Sequence, residues 1–212
     1  MFIPDLRKLA ALAFAACAAA VQAGAYDDFF AATLRNDAAT VSQLIQRGID
    51  ANSRDPQGQT ALYLALRNGA FNVADTLLAE RTLDVDAVNA ADETALMMAA
   101  LKGQTEWARR LVERGAHIDR PGWSPLHYAA TGPEPAVVKL LLDRGAAVDA
   151  RSPNRTTPLM MAAQYGSEAS VDVLLARGAD AKARNDRGLS AGDFARLAKR
   201  DALAARLDAL AR

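Results

Sequence analysis

Cysteine is almost absent from this sequence: among 212 residues the only one is Cys17. A single thiol closes no internal disulfide and builds no cysteine cluster for a metal. Histidine is scarce too. His117 and His127 are the only two, ten residues apart, and that pair makes no recognised zinc spacing. Aromatics are 6% of the chain, so its 51% of hydrophobic residues is mostly Ala and Leu, a composition suited to closely packed helices. Net charge is missing as well. The 25 basic and 25 acidic residues cancel, which leaves no overall field to recruit nucleic acid. The longest apolar run, Leu9–Val21, has thirteen residues, short of the roughly 20 that a membrane span takes.

That run follows Arg7 and Lys8 and leads into Val21-Gln22-Ala23, with small residues where a signal peptidase reads. A basic head, a short apolar centre and a small-residue exit make a secretory signal peptide. Residues 1–23 are therefore expected to be removed by cleavage after Ala23, leaving a periplasmic or secreted protein without stable membrane insertion. The expected mature chain, having lost Asp5, Arg7 and Lys8, carries 23 basic and 24 acidic residues and no thiol. Phe14-Ala15-Ala16-Cys17 faintly resembles a lipoprotein cleavage box, the alternative in which Cys17 is lipidated. Arginine outnumbers lysine twenty to five, a bias consistent with a GC-rich bacterial genome.

What the chain does contain is a repeat. Thr60, Thr94, Ser124, Thr157 and Ser190 each precede an apolar helical stretch, at spacings of 34, 30, 33 and 33 residues. A period in that range points to a stacked array. The hydroxyl can cap the first helix of each unit by accepting from an orphan backbone N–H. Pro125 and Pro158 follow where a missing N–H costs nothing. Gly69, Gly103 and Gly166 are expected to end the first helices in the left-handed conformation. A second helix then carries one apolar face, as in Val137, Val138, Leu140, Leu141 and Leu142.

Ser124-Pro125-Leu126-His127-Tyr128-Ala129-Ala130, with Val137-Val138-Lys139-Leu140-Leu141-Leu142-Asp143-Arg144-Gly145-Ala146, resembles an ankyrin repeat almost throughout. The resemblance, to ankyrin-repeat proteins of an exported bacterial type, covers about residues 25–212. It implies an all-α repeat solenoid with short β-hairpin fingers, of about five to six units. An N-terminal cap repeat is expected over 24–54, internal repeats over 55–88, 89–119, 120–150 and 151–182, and a C-terminal cap repeat over 183–212. The sequence also departs from the family pattern. Only repeat 3 keeps the family histidine, at His127; Tyr63, Met97 and Met160 replace it elsewhere. Arg155 stands where the finger turns on glycine at Gly58, Gly122 and Gly188.

Candidate chemistry reads as architecture. Gly188-Leu189-Ser190-Ala191-Gly192 matches a nucleophile elbow, but no histidine follows it and Ser190 falls in register as a helix cap. Met97-Met98 and Met160-Met161 could offer thioethers to Cu(I), yet adjacent helical residues do not share a face, so packing is the expected role. His127 is expected to hydrogen-bond within the helix–finger junction. No catalytic residue, metal or cofactor is expected.

The resemblance implies a non-catalytic protein–protein interaction module acting outside the cytoplasm. Its concave finger and inner-helix face would serve as adaptor or protective partner of an exported protein. The alternative is an inhibitor or immunity-type protein that occludes a toxin or hydrolase. The partner is expected to be another protein, not nucleic acid, and the chain a monomer. Partner-binding candidates are the residues one before each hydroxyl and seven and eight after it: Gln59, Arg67, Asn68, Glu93, Leu101, Lys102, Trp123, Thr131, Thr156, Gln164, Tyr165 and Leu189.

Overall fold

A computed structural model describes residues 24–212; the expected signal segment lies outside the described residues. Twelve helices follow one another: α1 over residues 24–34, α2 Ala38–Gln46, α3 Ala61–Asn68, α4 Phe71–Ala79, α5 Ala95–Leu101, α6 Thr105–Glu113, α7 Pro125–Thr131, α8 Pro135–Asp143, α9 Pro158–Gln164, α10 Glu168–Ala176, α11 Ala191–Leu197 and α12 Asp201–Leu210. Among the described residues no helix is long and apolar enough to cross a membrane. The chain forms two compact units, one ending at Asp84 and the other Val85–Arg212. The first holds α1–α4 and the second α5–α12. The fold class is the all-α repeat solenoid that the sequence repeat implies.

Each helix pair follows from its local sequence. Thr60, Thr94, Thr157 and Ser190 accept from the N–H three residues on and cap α3, α5, α9 and α11. Ser190 also donates from its hydroxyl to Asp193 Oδ2 at 2.8 Å, so the elbow-like pentapeptide is a capping box. In the second unit the inner helices α5, α7, α9 and α11 lie side by side, and the outer helices α6, α8 and α10 do the same. Between the layers Leu96, Met97, Leu111, Leu126, Leu141, Leu159, Met160 and Leu174 are fully buried. Full burial of one such side chain contributes about 1.5–3 kcal/mol.

Gly69 and Gly103 do adopt left-handed φ, at 71° and 68°. Gly166 does not, which corrects the expectation for it. It is required for space instead: a Cβ there would lie 2.1 Å from the Ala130 carbonyl oxygen and 3.0 Å from Ala162 Cα. The end of α9 is capped from the following repeat. The Arg200 guanidinium donates to the carbonyls of Ala162, Ala163 and Gly166 at 2.9–3.1 Å, which answers orphan acceptors at a helix C-terminus.

The fingers are tighter than a β-ladder. Among the described residues the only β-bridge is the isolated Arg54–Thr60 pair. Two backbone bonds close each of four fingers: Asp55 N–H to Gln59 O and Gly58 N–H to Asp55 O, with equivalents at Asn89–Glu93, Ser152–Thr156 and Asn185–Leu189. This is the tight hairpin in which a turn is followed by one left-handed residue. A side-chain ladder joins successive fingers. Asn52 accepts from Asp84 N–H within the first unit. In the second unit Asp86, Asp119 and Asp149 accept from the N–H groups of His117, Ala147 and Asp180. In these four bonds the acceptor lies in the earlier repeat, and Asn52 also donates from its amide to the Thr82 carbonyl.

Candidate functional site

The second unit carries an open depression of about 290 Å³ lined by Leu101, Trp123, His127, Tyr128, Thr131 and Met161. Its floor is set by the stacked inner helices: Leu101 ends α5, Tyr128 and Thr131 lie on α7, and Met161 lies on α9. Trp123 overhangs it from the finger before α7.

His127 anchors this corner. It is 1% exposed. Ser124 N–H donates to its Nδ1 at 3.1 Å, and its Nε2 lies 2.9 Å from the Thr156 carbonyl. A backbone N–H can only donate, so Nδ1 is the bare nitrogen and Nε2 carries the proton given to Thr156. Burial holds the His127 pKa below its ordinary value, against the opposing pull of the Thr156 and Ala150 carbonyls. The Trp123 ring meets the imidazole edge-on, with centroids 5.2 Å apart, and remains 37% exposed. One side of the indole thus packs while the other meets water.

Tyr128 reaches back from α7 and donates to Glu93 Oε1 at 2.9 Å, and Glu93 Oε2 accepts from Asn89. Thr131 donates to the His127 carbonyl within its own helix. The hydroxyls and carboxylate at the rim are therefore engaged, and the surface left for a visitor is aromatic and aliphatic. Of the methionines, Met97, Met98 and Met160 are core, as their packing role requires. Met161, by contrast, is half-exposed and lines the depression.

The other sequence candidates of the second unit lie outside the lining of the depression. Lys102 and Tyr165 are exposed, Tyr165 at 60%. Gln164, Glu93 and Leu189 are half-buried. In the first unit Arg67 and Asn68 are exposed at the end of α3, with Arg67 over the Tyr63 ring at 6.0 Å, and Gln59 is half-buried in its finger turn. Thr156 must be withdrawn from the set. It is 2% exposed, its N–H is taken by Ser152 Oγ, and its carbonyl accepts from His127. The finger closes over it and offers Arg155 to solvent instead.

Two residues were missed. Leu34 and Leu197 are 53% and 61% exposed at the ends of α1 and α11, at the inner-helix position held by Arg67, Leu101, Thr131 and Gln164. The count of seven from Ser190 reaches Leu197 directly. Leu34 escapes it because α1 has no hydroxyl start from which to count.

A family model described as "Ankyrin repeats (3 copies)" matches residues 29–121 and 119–185. The chain is 33% identical over 156 residues to a transient receptor potential cation channel subfamily A member 1 homolog of Caenorhabditis elegans, covering 72% of this chain and 13% of that one. It is 36% identical over 148 residues to the human neurogenic locus notch homolog protein 4, covering 62% of this chain and 7% of that one. It therefore spans a small part of these relatives. Among solved structures, a chain in the complex of a predatory endopeptidase from Bdellovibrio bacteriovorus with an immunity protein superposes with a TM-score of 0.73 at 27% identity. That likeness covers 86% of this chain and 97% of that one.

Proposed function

Because this chain belongs to the ankyrin-repeat family, whose stacked repeats serve protein–protein interaction, we propose that it is a non-catalytic binding module acting outside the cytoplasm through its inner helices and fingers. The observation that carries this reading is the depression beside Trp123. Water-exposed aromatic and aliphatic side chains gather there on rigid stacked helices, where a partner's side chain can shed water against them. The His127 ring and the Tyr128 and Thr131 hydroxyls of the lining are committed to internal bonds.

The form of binding we favour is occlusion of an exported hydrolase, as an inhibitor or immunity-type protein. The likeness to a chain of the endopeptidase–immunity protein complex supports it, because it runs over nearly the whole of both chains. An adaptor or protective partner would use the same face.

Crosslinking of the tagged chain in cells should capture a partner protein. Trp123→Ala should melt near wild type and lose roughly 30-fold or more in affinity for it, the equivalent of about 2 kcal/mol. A captured hydrolase that loses activity on titration with the chain supports occlusion, and undiminished activity supports the adaptor form. Unchanged affinity in a folded Trp123→Ala variant removes the depression from the interface. Export is read separately, by intact mass. The proposal requires a periplasmic or secreted species that begins at Gly24, and a chain still beginning at Met1, or lipid on Cys17, overturns it.

A further inference from the structure

The finger beside the depression carries an anomaly. In the four fingers closed by the same pair of backbone bonds, the residue before the last has a positive φ: 75° at Gly58, 62° at Asp92, 61° at Arg155 and 73° at Gly188. Glycine takes that conformation freely and aspartate tolerates it, but an arginine is strained there. The same chain uses glycine for this task twice, so the turn itself does not call for arginine. Nor does a strong internal contact. The nearest acid is Asp186, 4.0 Å from Arg155 Nε, and both side chains are more than half in water. Such a pair contributes little. Strain held at an exposed residue without a compensating contact points to a use.

Its position suggests the use. Thr156, the next residue, gives its carbonyl to His127, whose ring meets Trp123. Arg155 therefore stands close to the depression. It does not stand alone. Arg151 opens the same finger and Arg187 lies on the following one; both are exposed and have no ion-pair partner among the described residues. The acids of the earlier finger are already engaged. Arg120 pairs with Asp92 at 2.7 Å, and Glu93 accepts from Tyr128 and Asn89. A chain that is neutral overall thus presents exposed positive charge on the two fingers that follow that of Trp123.

We propose, resting on the binding face described above, that the hollow receives an apolar side chain from an acidic segment of the partner protein while Arg155 takes a neighbouring carboxylate. A guanidinium offers a planar fork that fits a carboxylate with two parallel hydrogen bonds. The aliphatic and aromatic floor of Leu101, Tyr128 and Met161 suits a side chain rather than a phosphate track.

The test is selection of random short peptides displayed on phage against the full chain, followed by anisotropy titrations with the enriched peptide. The enriched peptides should join Asp or Glu to Leu, Phe or Trp. Arg155→Gly should melt at or above wild type yet bind about tenfold more weakly. Added salt should weaken the wild-type complex more than the variant complex. Arg151→Gln should act in the same direction more mildly. An empty selection, a neutral or basic consensus, or tighter binding of a random single-stranded oligonucleotide overturns the proposal. So does a fall in the melting temperature of Arg155→Gly, which would make the arginine structural. If Trp123→Ala weakens the peptide and Arg155→Gly does not, the binding face stands and the acidic partner falls. If neither weakens it, both fall.

Discussion

The backbone N–H that opens α5, α7, α9 and α11 is answered by different atoms in different repeats. Met97 Sδ takes the Thr94 N–H at 3.5 Å, Met160 Sδ takes the Thr157 N–H at 3.4 Å, and Asp193 Oδ2 takes the Ser190 N–H at 2.8 Å. In repeat 3 the acceptor is His127 Nδ1. The thioethers do not titrate; the imidazole does, and burial lowers its pKa. A folded state that resists a proton the unfolded chain accepts loses stability as pH falls. For His127 the loss begins near the ordinary value of 6.5 and grows toward its lowered folded value. The Asp193 carboxylate, held low first by the Ser190 backbone N–H, adds a further loss as pH falls below its ordinary value of 3.8. His127→Met supplies the acceptor its sister repeats use. At neutral pH it should cost on the order of 1 kcal/mol for the lost bond to Thr156. Between about pH 7 and about pH 5 its melting temperature should move less than that of wild type. Parallel curves for the two proteins would show that His127 is not the titrating group. The replacements at this position are visible in the sequence, but the sulfur acceptors are not, because a methionine in an apolar run reads only as packing.

At the level of helices and turns, glycines separate two physical demands. Gly69 has a φ of 71° and open space around its missing side chain, whereas Gly166 has ordinary φ and no space. Gly69→Ala should therefore cost about 1 kcal/mol of conformational strain. Gly166→Ala should cost about 3 kcal/mol or more, because its Cβ meets a backbone carbonyl that cannot swing aside. Chemical denaturation of the two variants checks the order, and equal losses would contradict the close approach of Gly166 to the Ala130 carbonyl. Both glycines were legible as helix ends from the repeat alone, since self-similarity at a fixed period exposes the caps, the buried leucines and the closing residues together. The exchange of Thr156 for Arg155 at the solvent face was not legible. It depends on how one finger closes over its last residue, which no spacing rule encodes.

On the scale of the molecule, the division at Asp84 follows the connection Glu80-Arg81-Thr82-Leu83-Asp84, which is one residue longer than its counterparts and lacks their closing glycine. Arg81 is exposed in this connection, while Arg155 and Arg187 sit in turns pinned by backbone bonds. Brief trypsin treatment should cut after Arg81 before it cuts the fingers, and circular dichroism should find the fragment from Thr82 onward still helical. First cuts at Arg155 or Arg187 would reverse that ranking. The bonds from backbone N–H groups to Asn and Asp side chains between fingers have a direction: the oxygen belongs to the earlier repeat and the N–H to the later one. A chain that leaves a ribosome or a membrane pore with its N-terminus leading therefore always has the receiving carboxylate or amide outside first, solvated and waiting. The repeat that follows delivers its backbone donor onto a finished surface. Along this ladder assembly runs from the N-terminus onward, and a pause in delivery leaves the side-chain oxygen of each open rung hydrated at the growing edge.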